Sequence, residues 1–357
     1  MNDPVLHAIA WPGGLAGMPR SVEESCAALL RAGTDAHAWL CVADRICPSP
    51  VPERFEQRGV PTEVCSANTW ADPRAPLRLV RALRRLGRGA VLHTHGERAL
   101  LWGVAAAKIT GARHVHTLHG WIENNPMDRR RAEKARAMLA GVDAVIAVHS
   151  TLCANEETTV IPNTLDPLRF ARAAGDREKT RRHWGLQSGD RVYLFLGRLS
   201  EEKGADRIAM IQARLQTVSA AARLFVAGSG PLLPGVDAMT DVRFLGERAD
   251  PAAVLSAADA VLMPSRREGL PMTALEAAAL GVPLVGFPAG GLADSGLAVT
   301  TPPGNVAALV DTAVALVRDP GLRTEALRQS REALGGEFSP RKHAERLVAV
   351  YEGSALA

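Results

Sequence analysis

Glu268-Gly-Leu-Pro-Met-Thr-Ala-Leu-Glu276 lies between two short apolar runs, Ala260-Val-Leu-Met-Pro264 and Gly281-Val-Pro-Leu-Val285. The order predicts a strand, a turn holding one carboxylate, a helix over Met272 to Leu280 holding a second, and another strand. A proline at a helix start costs nothing, because that N–H has no intrahelical partner. Gly269 lets the backbone come close to whatever lies above the helix, whose N-terminus favours an anion. Two acids and an anion-friendly helix end aimed at one place make sense only if the ligand offers both hydroxyls and phosphates.

The same strand–glycine turn–helix unit recurs on both sides of this stretch. Downstream, Pro288-Ala-Gly290-Gly291-Leu292 is another glycine turn, and helices over 305–318, 321–334 and 340–351 close the chain. Upstream, the strand Arg191 to Leu196 closes on Gly197-Arg198-Leu199, with Lys203-Gly204 at the next helix start. Arg offers a planar fork for phosphate oxygens and Lys a point charge. Ala222 to Ala227 ends in Gly228-Ser-Gly230-Pro231, and Val242 to Gly246 ends in Glu247-Arg248. Strands alternating with helices imply parallel sheets.

The N-terminal half repeats the form. Val5 to Ala10 reads as a strand, then Pro12-Gly13-Gly14-Leu-Ala-Gly17, then a helix over Met18 to Arg31. Its glycines depart from G-x-G-x-x-G; a nicotinamide site with Asp44 as the ribose acid is one reading, and a plain tight turn is the simpler one. Cys47 to Asp72 reads as Pro-rich and irregular, with a short strand near Glu63-Val64. In Arg74 to Arg88, Leu77, Val80, Leu83 and Leu86 fall on one face at helical spacing, and six arginines crowd the rest with no acid in the stretch. That face is either an ordinary solvated surface or a contact for anionic lipid headgroups or an anionic acceptor.

Strands Ala90 to His95 and His114 to His119 end in polar residues, where ligands of open α/β sheets bind. His93/His95 and His114/His116 each share a face, but no Cys or carboxylate completes a zinc set, so no metal is expected. A neutral His119 donating a hydrogen bond to a polar ligand fits better. Ala144 to Val148 is a further strand, and Val160-Ile-Pro-Asn163 leads out of this half.

The bulk properties agree with this. A chain of 357 residues suits two α/β domains, and its 47% hydrophobic and 22% charged residues are those of a globular enzyme. A net charge of +4 is mild, and no nucleic-acid motif is present. Five cysteines without paired spacing point to reduced thiols and a cytoplasmic protein. No basic leader and no long apolar run is found, so neither a signal peptide nor a membrane span is expected.

Taken in order, Thr117-Leu-His119-Gly120, Val160-Ile-Pro-Asn163, Gly197-Arg198-Leu199 with Lys203-Gly204, Gly228-Ser-Gly230-Pro231, Phe244-Leu-Gly246, Glu268 with Glu276, and Gly290-Gly291 make the chain resemble the retaining glycosyltransferases of family 4. The resemblance spans nearly the whole chain and is densest from Val160 to Gly291. It implies an α/β GT-B fold, two Rossmann-like βαβ domains facing across a deep cleft. The domains would span 1–165 and 166–338, with the helix of 339–357 crossing back to the first. It implies a nucleotide-diphosphate sugar as donor, no cofactor and no metal. Arg198 and Lys203 would hold the diphosphate, Glu276 the ribose hydroxyls, and Glu268 a sugar hydroxyl. His119 would contact the sugar near the reacting carbon. Gly14 would lie by the diphosphate, Glu247 and Arg248 by the base. The backbone of Gly269, Leu270 and Pro271 would support sugar and phosphate, with Asn163, Gly197 and Gly228 completing the donor site. His119-Gly120-Trp121 is also similar to exopolysaccharide and O-antigen enzymes, implying a sugar or lipid-linked acceptor in surface polysaccharide or glycolipid synthesis, and peripheral membrane contact through Arg74 to Arg88. The chain departs from the family where Gly269-Leu270-Pro271 follows the first acid instead of a Phe-Gly pair. The loop after Gly291 lacks the usual Glu, so no contact is carried over there.

Two other readings of the acids remain open. A glycoside hydrolase would use Glu268 and Glu276 as acid and base about 5–10 Å apart. A catalytically silent nucleotide-sugar-binding protein would use the same residues without turnover.

Overall fold

The computed structural model describes residues 3–11, 17–42, 50–66, 72, 74–121, 126–237, 239 and 241–354. The chain divides into two compact units, 1–164 with 340–357, and 165–339.

The first unit runs β1 (Val5–Trp11), α1 (Gly17–Arg31), β2 (Ala36–Val42), α2 (Val51–Glu56), β3 (Thr62–Ser66), α3 (Arg74–Leu86), β4 (Val91–His95), α4 (Glu97–Thr110), β5 (Arg113–Leu118), α5 (Pro126–Met138), β6 (Ala144–Ala147) and β7 (Thr159–Val160). Its parallel sheet has the order β3-β2-β1-β4-β5-β6-β7. Helices cover both faces, so strands such as β4 are buried along their whole length. The second unit runs α6 (Pro167–Arg172), α7 (Arg177–His183), β8 (Arg191–Leu196), α8 (Ile208–Val218), β9 (Ala222–Ala227), α9 (Leu233–Asp237), β10 (Val242–Gly246), α10 (Pro251–Ala257), β11 (Ala260–Met263), α11 (Met272–Leu280), β12 (Leu284–Gly286), β13 (Val299–Thr300), α12 (Val306–Arg318) and α13 (Pro320–Gly335). Its parallel sheet has the order β10-β9-β8-β11-β12-β13. The last helix, α14 (Pro340–Tyr351), packs on α1 in the first unit, where Leu347 and Tyr351 join the core of Ile9, Val22 and Leu29.

In each sheet the strand order reverses at one place, between β1 and β4 and between β8 and β11. The two strand ends splay there, and ligands of open α/β sheets sit at such points. Both functional clusters described below lie beside these reversals.

Several local expectations change. The stretch Cys47 to Asp72 is not irregular throughout: it holds α2, entered through Pro50 with Pro52 in its first turn, and the five-residue β3. Short helices α6 and α7 start on Asp166 and Asp176, whose carboxylates accept the N–H groups of Arg169 and Lys179. On α3 the inward residues are Leu79, Val80, Ala82 and Leu83, whereas Leu77 is 55% exposed. The helical stripe needs i, i+3, i+4 neighbours, so Leu79, which a strict three-residue count skips, joins Val80 and Leu83 on the packed face in place of Leu77. Two α3 arginines also find acids outside the helix: Arg85 meets Glu63 of β3 at 3.0 Å, and Arg74 meets Asp72 at 3.0 Å. The cysteines have a spatial pairing that their spacing hides. β2 and β3 place Cys41 opposite Cys65, and a shared thiol hydrogen bond raises the pKa of Cys41 and lowers that of Cys65. Both are free thiols.

Candidate active site

The carboxyl edge of the second sheet is built by backbone contacts between successive strand exits. After β8 the chain turns at Gly197, whose N–H donates to Ala227 of β9, and Leu199 N–H donates to Ser229. Gly228 N–H in turn donates to Gly246 at the end of β10. The exits of β8 and β11 meet where Gly204, in the left-handed region with φ 75°, lies against Pro264. A Cβ there would stand 2.1 Å from the Pro264 carbonyl oxygen. Gly290, with φ 53°, does the same against Glu268: a Cβ would stand 1.9 Å from that carbonyl, and Gly291 N–H donates to Gly269 at 2.6 Å. These two positions need glycine for space as well as for φ. They hold the loops after β8, β11 and β12 in one cradle.

Into this cradle the side chains bring opposite charges. Lys203 Nζ donates to Glu268 Oε2 at 2.7 Å and stands 3.6 Å from Glu202 Oε1. The Glu268 side chain is 6% exposed and that of Lys203 26%. Arg198 is exposed and forms no ion pair among the described residues. Pro271 is the residue before the first helical position of α11, with extended backbone (φ −72°, ψ 126°), and no side chain caps this helix end. Its first N–H groups therefore point into the cradle with the positive end of the helix dipole. Glu276 lies one turn into α11 and is 1% exposed. Leu270 is buried, while Gly269 and Pro271 keep part of their surface. Glu247 and Arg248 are exposed at the end of β10, and Arg248 pairs with Asp250 at 2.7 Å.

The first unit gathers the other predicted residues. His93 and His95 share a face of the sheet with His7 from β1, which is registered directly against His93. Their rings pack at centroid distances of 4.3 to 5.3 Å, and His119 joins at 5.2 Å from His95. His93 is engaged at both nitrogens, with the Tyr351 hydroxyl and with Thr117 Oγ1, each at 2.7 Å. His114 and His116 share the opposite face, where Thr94 Oγ1 lies 2.9 and 2.8 Å from their nitrogens. Burial lowers His7 and His116 to a pKa of about 3, and His114, His119 and His343 to about 4. These rings are neutral at pH 7.

Asn163 is buried in this unit and accepts a hydrogen bond from Ser21 Oγ at 2.6 Å. The segment before it is held by α14: His343 Nδ1 donates to the Pro162 carbonyl at 2.8 Å, leaving Nε2 to accept from Ser25 Oγ at 2.8 Å. A cavity of about 10 Å³, room for roughly one water, is lined by Ser21, His93, His95, His119, Asn163 and His343. A larger hollow, about 280 Å³, opens near Arg84, Arg88, Ile109 and Thr110. It lies at the amino edge of the sheet, away from where α/β sheets do chemistry.

Gly14 lies outside the described residues. Sequence reasoning missed His7, Ser21, Ser25, His343 and Tyr351. His7 carries a faint signal, an interior strand histidine in a run that is otherwise apolar. His343 and Tyr351 carry none, because they reach the site on a helix far along the chain.

Fold and strand-exit geometry define the class: two parallel-sheet Rossmann-like units of the GT-B type. Residues 15–169 match the family model described as Glycosyltransferase Family 4, and residues 190–319 the model described as Glycosyl transferases group 1. A 2-deoxystreptamine glucosyltransferase of Streptomyces kanamyceticus is 30% identical over 295 residues, covering 73% of this chain and 76% of the relative. D-inositol 3-phosphate glycosyltransferase 1 of Catenulispora acidiphila is 30% identical over 311 residues, covering 76% and 74%. Among solved structures, Anabaena HepE in complex with UDP-glucose matches with a TM-score of 0.80 at 19% identity, over 98% of this chain and 99% of that one. The chain belongs to the family 4 glycosyltransferases, and it is a glycosyltransferase.

Proposed function

We propose that this enzyme moves a hexose from a nucleoside-diphosphate sugar to an acceptor hydroxyl with retention of anomeric configuration and without a metal. The observation that carries this reading is the cradle formed by the Lys203–Glu268 pair and the uncapped start of α11, with Arg198 exposed at the exit of β8. As the glycosidic bond breaks, negative charge builds on the departing phosphate oxygen. A guanidinium, an ammonium held by Glu268 and helix N–H groups stabilise that charge more than they stabilise the ground state. Glu268 holds Lys203 in place before the donor arrives, so the cradle is close to neutral when empty. An ammonium has three protons, so Lys203 can keep Glu268 and still serve a phosphate oxygen. In this reading Glu268 also reads a sugar hydroxyl and Glu276 the ribose hydroxyls, the glycines at 197, 228 and 269 support the donor together with Leu270 and Pro271, and the base lies by Glu247 and Arg248; the family resemblance gives His119 and Asn163 of the first unit their roles toward the donor sugar. The leaving phosphate takes the acceptor's proton, which frees both acids from proton transfer and distinguishes the enzyme from a glycoside hydrolase. Incubation with the sugar nucleotide alone then gives only slow hydrolysis; rapid hydrolysis that no acceptor diverts would support the hydrolase instead.

The named relatives act on a 2-deoxystreptamine or an inositol phosphate, which supports a polyhydroxylated cyclitol as a second acceptor reading beside a polysaccharide or lipid-linked sugar. The Anabaena complex with UDP-glucose supports UDP as carrier. A thermal-shift series with UDP, GDP and ADP tests this. The matching nucleotide at about 100 times its Kd adds about 2.7 kcal/mol and a melting shift of several degrees, whereas the other two leave the melt unmoved. No shift with any of them would remove the donor assignment.

In the same reading the protein works at the cytoplasmic face of a membrane. No helix of the described residues is long and apolar enough to cross one, so contact would run through α3, where Arg81 and Arg84 are exposed and carry no ion pair among the described residues. Each such charge near an anionic surface contributes about 1 kcal/mol. Cosedimentation with vesicles rich in anionic lipid is expected to fall at least tenfold in Arg81→Glu/Arg84→Glu and with rising salt. Unchanged cosedimentation of the charge-reversed protein would leave α3 an ordinary solvated helix.

A further inference from the structure

We propose that His7 and His95 are positioning residues that fix His119 as a hydrogen-bond donor through a chain of imidazoles. His7 Nδ1 lies 3.1 Å from His95 Nε2, and His95 Nδ1 lies 3.0 Å from His119 Nε2. His7 and His95 are buried at 0% and 2% exposure, and burial holds all three pKa values below the usual imidazole range. Each ring is therefore neutral at pH 7, with one N–H and one lone pair. Two contacts between three neutral rings allow only two proton arrangements. In one, His7 Nδ1–H donates to His95, His95 Nδ1–H donates to His119, and the N–H of His119 stands at Nδ1. In the other, every proton is reversed, and His7 carries its N–H on Nε2.

His7 Nε2 decides between them. It is buried and has no hydrogen-bond partner among the described residues. An orphaned buried N–H is rarer in folded proteins than an under-satisfied acceptor. The arrangement that leaves a bare lone pair on His7 Nε2 therefore prevails, and the chain runs from His7 outward to His119. His119 keeps part of its surface exposed, beside the strand reversal between β1 and β4. It thus meets its ligand as a donor and never as an acceptor. Toward a donor-sugar or acceptor hydroxyl this selects the oxygen lone pair over the proton. The functional half of the inference rests on the proposed transfer reaction; the tautomer does not.

A metal held by His7, His93 and His95 is the competing use of these rings, since their ligand atoms lie within 4.8 Å of one another. Both His93 nitrogens already face Tyr351 and Thr117, and His7 Nδ1 faces His95 Nε2 rather than a common centre. Three lone pairs do not converge.

The test is a long-range ¹H–¹⁵N spectrum of the full chain labelled at histidine, with His119 assigned from the His119→Gln protein. The expected result is a neutral His119 protonated at Nδ1. His95→Leu should release it to the Nε2–H form, and His95→Asn, which keeps an N–H donor near the old Nδ1, should restore Nδ1–H. In steady state, losing an orienting partner costs about 10- to 100-fold; the loss should fall on kcat, leave KM for the sugar nucleotide in place, and be largely recovered in His95→Asn. Nε2–H protonation of His119 in the unmutated protein overturns the proposal even if no variant folds. So does a His119 spectrum that His95→Leu leaves unchanged, or stoichiometric shifts of His7, His93 and His95 on adding zinc. A correct tautomer in a protein that transfers no sugar would count against the reaction and not against the chain of rings.

Discussion

Arg198→Ala and Lys203→Ala are expected to lower sugar transfer about 100- to 1,000-fold each, the usual loss when one preorganised partner of a developing charge is removed. Their effects on the fold should differ. Arg198 is exposed at the exit of β8 and joins no ion pair among the described residues, so its alanine variant should melt where the unmutated protein does. Lys203 is the 2.7 Å partner of Glu268, whose side chain is 6% exposed. Its removal strands a buried carboxylate and should cost about 1–3 kcal/mol. Adding Glu268→Gln to Lys203→Ala removes that stranded charge, so the double variant should regain stability without regaining turnover. Melting curves and initial rates on the three proteins check this together. Turnover within tenfold of normal in Arg198→Ala would sink the diphosphate assignment, and loss of fold in that variant would make the residue structural.

The second large effect is acid lability confined to one unit. Residues 1–164 with 340–357 hold nine of the ten histidines, and 165–339 holds only His183, which is exposed. Burial lowers His7 and His116 to about 3, and His114 and His343 to about 4, from an ordinary 6.5. Between those values the unfolded chain takes protons that the folded chain refuses. Stability from these rings is thus complete above about pH 6.5 and is lost as the pH falls toward the folded values. At pH 5 the loss is about 2 kcal/mol per ring when every ring stays buried until unfolding. Several such rings approach the whole stability of a domain, about 5–15 kcal/mol. Hydrogen exchange at pH 7 and pH 5, corrected for intrinsic rates, should show peptides of the first unit losing protection while those of 165–339 keep theirs. Equal loss in both units, or greater protection of the first unit at pH 5, would contradict the neutral-histidine account.

How far these sites could be read in advance follows from range. The strand–turn–helix alternation, α11 over Met272–Leu280, α14 over Pro340–Tyr351, and the strand exits at Gly197, Gly228 and Gly246 all rest on neighbours within a few residues, where periodicity and turn chemistry act. The order of the motifs led to the same family that the comparisons support. On α3, Val80, Leu83 and Leu86 face the core as expected, whereas Leu77 lies outside and Leu79 inside, because leucines on either side of the packed face look alike until α4 is set against it.

What the sequence by itself determined is therefore the class of fold, the family, and the loop on which each candidate residue sits. Tertiary structure alone decided which side chains meet. Lys203 and Glu268 stand 65 residues apart and pair because β8 and β11 are neighbours at a strand reversal. Cys41 faces Cys65 through the register of β2 and β3. His7, His95 and His119 form a chain of rings because β1, β4 and β5 lie side by side. The stretch from Glu268 to Glu276 shows the division most plainly. Its strand, turn and helix are local, whereas the partner of its first carboxylate depends on strand order, which buried area and hydrogen-bond pairing over the whole sheet select.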